Sequence, residues 1–419
     1  MRICILTLGS RGDVQPYVAL ARGLRAAGYS PALLAAPSFR SFIESNGVEW
    51  RSFDTGDPRA MLHSQEGRAL VRGIANPVRL VREMARMIEP LLEKGYGEAW
   101  QNSADADAIL VAPTALPLAQ ALHERRGTPF ACAFLQPGHA TREFGSWLLP
   151  EPPRWLPFRG SLNRLTHKLA WEVLFKMVGR AYDAARARVL GLPPGRNPFA
   201  ALASERWPTL YGFSRAVVPR PADWEPHVEI TGYWFLDGDP AWRPPADLEA
   251  FLAAGPPPIC VGFGSMPSPD PAALTREVVK ALEAAGQRGL LLSGWGGLQE
   301  SELPRTMFAL EAAPHDWLFP RMAAVVHHGG AGTTAAALRA GVPSLAVPFI
   351  ADQWFWGGRI AALGAGPGTF SRRRLTAERF APVLRDLASN PAHRAGARAV
   401  AAELAREDGV ARAVAALPF

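Results

Sequence analysis

Two doubly wound α/β domains in tandem are what this sequence predicts, and three observations carry the prediction. Short apolar runs alternate with helical stretches from the first residue, the pattern of strands joined by right-handed helical crossovers into a parallel sheet covered on both faces. The same alternation restarts at Ile259, after a charged and proline-rich stretch. The length, 419 residues, exceeds one ordinary core and suits two domains of about 200 residues each.

The first half reads as a strand from Ile3 to Leu8, the loop GSRGD, and a helix from Val14 to Ala27. A strand (Ser30 to Ala36), a helix (Ser38 to Ser45) and a short strand near Trp50 follow. Ala108 to Ala112 is a strand, Ala115 to Arg126 a helix, and Phe130 to Leu135 a strand again. Residues 137–200 break the rhythm with an aromatic, proline-rich loop and a long amphipathic helix, Leu162 to Leu190. Compact domains rarely carry loops this long without a function for them. Strands resume at Thr209 to Phe213, Ala216 to Val218 and Glu229 to Gly232. Residues 1–235 thus form the first domain, and 236–257 a linker with a short helix inside it.

The second domain, 258–395, opens with a strand (Ile259 to Phe263), the loop GSMPSPDP and a helix (Ala272 to Ala285). Strands Gly289 to Ser293 and Met307 to Ala312 and a short helix near Trp317 come next. The strand Ala323 to His327 feeds the motif HHGGAGTT, a helix (Thr334 to Arg339) and a strand (Ser344 to Val347). From Thr376 onward the chain reads as two helices.

Apolar residues make up 48% and charged residues 20%, which excludes disorder. The formal charge is +7, from 45 basic and 38 acidic residues. Such a surplus favours nucleic acid, anionic lipid or a phosphate-bearing substrate. The richest basic run is Arg372-Arg373-Arg374 and no nucleic-acid module is recognisable, so no nucleic-acid partner is expected. Cys4, Cys132 and Cys260 all lie in strand-like runs without a CxxC; they read as buried thiols rather than a disulfide framework or a zinc site. No run of 18 apolar residues and no signal-peptide layout occurs, and a soluble, cytoplasmic protein is expected.

The chemistry belongs at the strand ends, where parallel sheets bind ligands. In HHGGAGTT, glycines admit a phosphate close to the backbone and the next helix offers unpaired N–H groups. Thr333 and Thr334 add hydroxyls and a histidine adds a ring N–H. Neither glycine-rich loop has the lysine of a P-loop. GSRGDV lacks the dinucleotide spacing, and no acid follows the second strand. A nucleoside diphosphate sugar remains. Asp352 and Gln353 follow the next strand end, and an acid beside an amide suits a polyol.

HHGGAGTT, GVPSLAVPF and ADQWFWG, preceded by APHDWLFP, resemble the donor-binding block of the UDP-glycosyltransferase superfamily with the GT-B fold. GSRGDVQPYVALARGL and ITGYWFLD followed by VGFGSM extend the resemblance over almost the whole chain. It is closest to sterol 3-beta-glucosyltransferases and bacterial antibiotic glycosyltransferases. The resemblance implies two Rossmann-like domains facing a cleft, with a C-terminal helix, 396–419, crossing back to the first domain. It implies that His328 with the backbone of Gly330, Ala331, Gly332 and Thr333 holds the diphosphate, and that Ser265 reaches it from the other side. Asp352 and Gln353 would bind the hexose, and Trp295 and His315 would border the base. Ser10, Arg11 and Gly12 are also assigned to the donor. Plant-type members carry a ribose-binding glutamate eight residues after the motif histidine; that position is Ala336 here, so ribose recognition does not carry over.

Asp13 stands where plant-type relatives carry a catalytic histidine, and as a carboxylate it resembles the antibiotic and sterol branches. It is expected to be the general base, against the simpler reading of a helix N-cap; His139 is the second candidate. The pairs Asp105/Asp107 and Asp237/Asp239 read as solvated loop acids, so no metal and no cofactor is expected beyond a UDP- or dTDP-sugar as co-substrate. Phe144, Trp147, Trp155, Phe158, Trp171 and Phe175 fall in the acceptor region implied by the resemblance, so the acceptor should be lipophilic. His139, Phe144, Trp147 and Trp356 are the acceptor-binding candidates. The segments Arg68 to Lys94 and Arg154 to Lys176 mix basic and apolar residues at helical spacing. Solvated faces explain this most simply, but the pattern permits peripheral docking on the inner face of an anionic membrane. The expected function is inverting, metal-independent transfer of a hexose, from UDP-glucose by preference, to a sterol-like or polyketide-type hydroxyl. A nucleotide-sugar epimerase and a catalytically inactive lipid- or glycan-binding module are the alternatives.

Overall fold

The computed structural model describes residues 1–54, 77–149, 151–153, 155–202, 204–239, 241–264, 266, 268, 270–293 and 303–419, with the backbone alone for 77–88. They form two units: Met1–Arg215, Pro219–Leu236 and Asp408–Phe419 in the first, Ala216–Val218 and Asp237–Glu407 in the second.

In the first unit β1 (Arg2–Leu6) runs into α1 (Arg11–Ala26), followed by β2 (Ser30–Ala35), α2 (Arg40–Ser45) and β3 (Glu49–Ser52). Then come α3 (Pro77–Asn102), β4 (Ala108–Val111), α4 (Leu116–Arg126) and β5 (Phe130–Phe134). The helices α5 (Arg159–Leu190) and α6 (Pro198–Ala201) and the strands β6 (Thr209–Tyr211) and β7 (Val228–Ile230) complete it. All strands pair in parallel in the order β3-β2-β1-β4-β5-β6-β7. Ile3 to Leu6 and Ala108 to Val111 are wholly buried, as central parallel strands covered on both faces must be. The expected strand Ala216–Val218 does not form. These residues turn and group with the second unit, where the Val217 carbonyl accepts from Arg359 Nε at 2.7 Å.

The second unit begins with α7 (Ala246–Ala253) in the segment read as a linker, which belongs to this unit from Asp237. It continues with β8 (Ile259–Gly262), α8 (Pro271–Ala284), β9 (Gly289–Leu292), β10 (Met307–Leu310), α9 (His315–Leu318) and β11 (Ala324–His327). Then follow α10 (Ala331–Arg339), β12 (Ser344–Ala346), α11 (Gln353–Ala362), β13 (Gly368–Thr369), α12 (Ala377–Ser389) and α13 (Pro391–Leu404). The parallel sheet has the order β10-β9-β8-β11-β12-β13. One face packs Val261, Val326 and Phe263 against α8 and α12; the other packs Cys260, Val325 and Leu290 against Leu318 and Ala337.

A third C-terminal helix, α14 (Gly409–Ala415), corrects the reading of two. Pro391 and the side-chain caps Asn390 and Asp408 divide the helical stretch. α13 stays with α10 in the second unit, and only the chain from Asp408 returns to the first. There Val410 packs so closely on Gly23 of α1 that a β-carbon at Gly23 would lie 2.2 Å from it.

Candidate active site

Each sheet reverses its strand order once, between β1 and β4 in the first unit and between β8 and β11 in the second. At such a point the flanking loops diverge and leave a crevice beyond the strand ends. The candidate residues gather at these two places.

In the second unit β11 ends on His327, 1% exposed and paired with Gly262 of β8. Its Nδ1 accepts the Gly329 N–H at 3.0 Å, which leaves the proton on Nε2. Burial, then the neighbouring His328 and His315, lowers its pKa to about 3. His327 is therefore a structural post for the turn. His328 is the ring that the loop is built around. A β-carbon at Gly264 would lie 3.1 Å from its Cε1, and one at Gly330 would lie 2.4 Å from its Nε2. Only glycines leave room for that imidazole. Burial and His315 lower its pKa to about 4, and its buried Nδ1 has no partner among the described residues. It is a neutral imidazole with spare hydrogen-bonding capacity.

The helix after it begins at Ala331, three residues before the expected start at Thr334. Gly330 is its N-cap, so Ala331, Gly332 and Thr333 fill its first turn with N–H groups that no helical carbonyl can reach. The Thr334 hydroxyl donates to the Gly330 carbonyl at 2.9 Å and is committed to the helix. Thr333 is partly buried. His315 begins α9 with its ring stacked on Phe319 at 4.4 Å. Ser265 and Trp295 lie outside the described residues, as do the whole of 294–302 and residues 55–76.

Asp352 and Gln353 stand at the start of α11, after Ala351 at φ 55. The Gln353 carboxamide oxygen accepts from the Phe349 and Ile350 N–H groups at 2.6 and 3.0 Å, and its nitrogen faces the Met266 sulfur at 3.2 Å. At 4% exposure this side chain braces the loop that carries Asp352; only its amide N–H is left to meet a sugar. Trp356 requires a correction. It is fully buried and donates from Nε1 to Asp352 Oδ2 at 2.7 Å. A side chain with no exposed surface does not line an acceptor site; Trp356 aims a carboxylate.

In the first unit α1 starts at Arg11 with Ser10 as N-cap, so Asp13 is the third helical residue rather than the cap. Its Oδ2 accepts from the Ser10 N–H at 2.7 Å and the Ser10 hydroxyl at 3.0 Å, and the Thr7 hydroxyl donates to its carbonyl at 2.7 Å. Gly9, at φ 131, makes the turn possible; a β-carbon there would lie 2.3 Å from the same carboxylate oxygen. Asp13 keeps partial exposure, yet desolvation dominates and raises its pKa, against the two Ser10 bonds. Arg11 and Gly12 are exposed beside it.

His139 is also corrected. The Tyr211 oxygen accepts the Gly138 and His139 N–H groups at 2.8 and 2.9 Å and lies 2.8 Å from His139 Nδ1. With its lone pairs taken, the phenol donates to that nitrogen, and the ring's accepting nitrogen is used up. At 7% exposure, with burial and then His227 and His167 pushing its pKa to about 3, His139 is a core residue and no substitute base. Phe144 is likewise buried, edge-on to His167 and Trp224. Trp147 keeps partial exposure beside Trp171 and is the one of the four acceptor candidates with open surface.

The two acid pairs have structural partners. Asp105 is bonded by Arg51, which with Arg2 holds its pKa at about 2, and Asp107 accepts the Arg2 N–H. Asp237 pairs with Arg339 at 2.8 Å, and Asp239 accepts the Ala241 N–H. No group of three potential metal ligands occurs among the described residues.

Residues 3–144 match the family model of the glycosyltransferase family 28 N-terminal domain, and residues 294–417 that of the erythromycin biosynthesis protein CIII-like C-terminal domain. The sterol 3-beta-glucosyltransferase of Aspergillus clavatus is 34% identical over 433 residues, an alignment covering 100% of this chain and 29% of the fungal protein. The chain thus spans less than a third of that relative's length. Among solved structures, the glycotransferase of kitacinnamycin superposes with a TM-score of 0.68 at 19% identity, over 99% of this chain and 97% of that one. The glycosyltransferase VinC in complex with dTDP gives 0.63 at 20%, over 99% and 98%. These similarities in structure establish the GT-B fold. The chain belongs to the glycosyltransferases of that fold, with a family 28 N-terminal domain and an EryCIII-like C-terminal domain.

Proposed function

We propose that this chain transfers a hexose from a nucleoside diphosphate sugar to a hydroxyl of a lipophilic acceptor, with inversion at the anomeric carbon. The observation that carries the reading is the β11–α10 turn: a neutral His328 with a spare nitrogen beside three helical N–H groups that lack partners. That is a place for a diphosphate, where both ground-state binding and the charge of the departing diphosphate are met by fixed dipoles. Asp352, aimed by Trp356, would accept hexose hydroxyls.

In the reaction the acceptor oxygen attacks the anomeric carbon as Asp13 takes its proton, and the bond from that carbon to the diphosphate breaks. The raised Asp13 pKa suits a base. The helix-mouth groups suffice in kind for the diphosphate charge, and both Asp-x-Asp pairs are engaged elsewhere, so the proposal is metal-independent and needs no cofactor. UDP-glucose is the donor favoured by the fungal relative's description as a glucosyltransferase; a dTDP-sugar is the competing donor, because VinC is described with dTDP. A cytoplasmic location with peripheral association to anionic membrane completes the reading; no described helix is long and apolar enough to cross a membrane.

Titration calorimetry in EDTA with UDP, UDP-glucose, dTDP-glucose and NAD tests it. Binding of a uridine or thymidine diphosphate without metal is expected and names the donor. Preference for NAD, or binding of neither sugar nucleotide, overturns the reading.

A further inference from the structure

Five exposed large apolar side chains of the first unit lie close together in the chain. Trp155 is 80% exposed, Phe158 84%, Leu165 and Leu169 48% each, and Val173 54%. On α5, Leu165, Leu169 and Val173 stand at intervals of four and share one face. The opposite face buries Asn163, His167, Ala170 and Trp171. The helix therefore carries a second apolar stripe turned to solvent, which core packing does not account for. Trp155 and Phe158 stand at its N-terminal end. Phe158 holds φ 57, a left-handed conformation unfavourable for a non-glycine residue. Its backbone preference thus does not explain why an aromatic ring is held out there.

The charges around the stripe have one prevailing sign. Arg164, Lys168, Lys176 and Arg180 are exposed on the same helix and have no ion pair among the described residues. The acids nearby are engaged: Glu151 pairs with Arg159 at 3.4 Å, and Glu172 accepts from Asn197 at 3.2 Å. Aromatic rings at one end, an aliphatic stripe and unpaired cations beside it form the arrangement that lies in a bilayer interface, with rings at headgroup depth and cations at the phosphates.

We propose that this face, from Trp155 through Arg180, docks the first unit on an anionic lipid bilayer. Trp155 and Phe158 enter the interface, Leu165, Leu169 and Val173 lie along it, and Arg164, Lys168, Lys176 and Arg180 meet lipid phosphates. The proposal gives a surface to the membrane association in the transferase reading and rests on that reading for its purpose, collection of an acceptor that partitions into lipid. Its physics is independent, and so is its test, which uses neither sugar donor nor acceptor.

The full chain is sedimented with sucrose-loaded vesicles of phosphatidylcholine alone or with about one-third phosphatidylserine, an anionic fraction chosen to attract basic side chains, at low and high salt. Binding to the anionic vesicles that weakens with salt is expected. Trp155→Ser with Phe158→Ser should lower the partition coefficient by at least about tenfold, since each ring contributes that much apolar burial. Arg164→Glu with Lys168→Glu should abolish the preference for phosphatidylserine. Circular dichroism and thermal melting check that both double variants remain folded. No sedimentation with anionic vesicles at low salt, or wild-type sedimentation by both variants, overturns the proposal. A lipid-free dimer dispersed by the same substitutions, without vesicle binding, would overturn it in favour of a second copy of this chain.

Discussion

The two switch points are built alike and charged in opposite ways. After β1 and after β11 the chain makes a glycine turn and enters a helix, and in both places a glycine clears space for one polar side chain. α1 then fills its own N-terminal turn with an anion, Asp13, bonded to Ser10. α10 leaves Ala331, Gly332 and Thr333 with bare N–H groups and sets a neutral His328 beside them. A helix N-terminus attracts one anion. In the first unit the protein supplies that anion from its own chain. In the second unit the first turn carries no acidic residue and no side-chain cap. Tandem domains of one architecture differ at the third residue of one helix: aspartate at 13, threonine at 333.

The largest expected effect breaks the first half of this comparison. Asp13→Asn keeps the shape and removes the base, so turnover should fall by roughly 10²–10⁴-fold, with calorimetric donor affinity unchanged. Near-normal transfer would remove Asp13 from the mechanism. The next effect breaks the second half by making α10 resemble α1. Thr333→Asp places a carboxylate at the position Asp13 has in its own helix. Donor Kd should rise about 100-fold or more, as expected for a charge set against a diphosphate in a part-buried site. The melting temperature should hold or rise slightly, because an acid in the first turn favours the helix. Undiminished donor binding by that variant would place the diphosphate elsewhere.

Trp356→Phe sharpens the comparison within the second unit. It keeps a buried ring and deletes the hydrogen bond to Asp352, worth about 1.5–3 kcal/mol for a charged acceptor. KM for the sugar nucleotide should rise by about tenfold, while affinity for the free nucleoside diphosphate, which lacks the hexose, stays the same. Equal loss for both ligands would mean the substitution disturbs the loop as a whole.

The smallest effect concerns pH. His139, His327 and His328 have folded pKa values of about 3, 3 and 4, below an unfolded value near 6.5. The folded chain binds fewer protons, so their contribution to stability is complete above about pH 6.5 and is lost as pH falls from there toward 4 and 3. The melting temperature should drop through that window, and His139→Gln should flatten the drop. Asp13 should govern activity on the same acid side: with its pKa raised, the acid limb of turnover should lie above the ordinary carboxylate range near 3.9.

The alternation of strands and helices, the parallel sheets, the buried thiols and the glycosyltransferase family are legible in the chain, because each rests on local periodicity or on long ordered motifs such as HHGGAGTT; the helix Pro77–Asn102 and the short strand Gly368–Thr369 are not. The helices at Arg11 and Ala331 start three residues before the periodicity predicts, and in both cases the glycine-containing residues that read as loop form the first turn. Glycine lowers helix propensity, while the tertiary requirement at a switch point overrides it. α11 has no clear signal in the sequence because its glycine pair and aromatics, QWFWGGRIAA, lack a helical stripe.

The sequence by itself determined which residue types stand after which strand, and hence the fold, the family and the position of Asp13, His328 and Asp352. Only the tertiary structure decided which of those side chains are spent. Trp356, His139 and Phe144 read as pocket aromatics and are core. Gln353 reads as a sugar ligand and braces a loop, and an apolar stripe on α5 faces solvent. Burial and hydrogen-bond satisfaction depend on residues distant in the chain, Tyr211 against His139 for example, and no local pattern encodes which polar atoms those partners will consume.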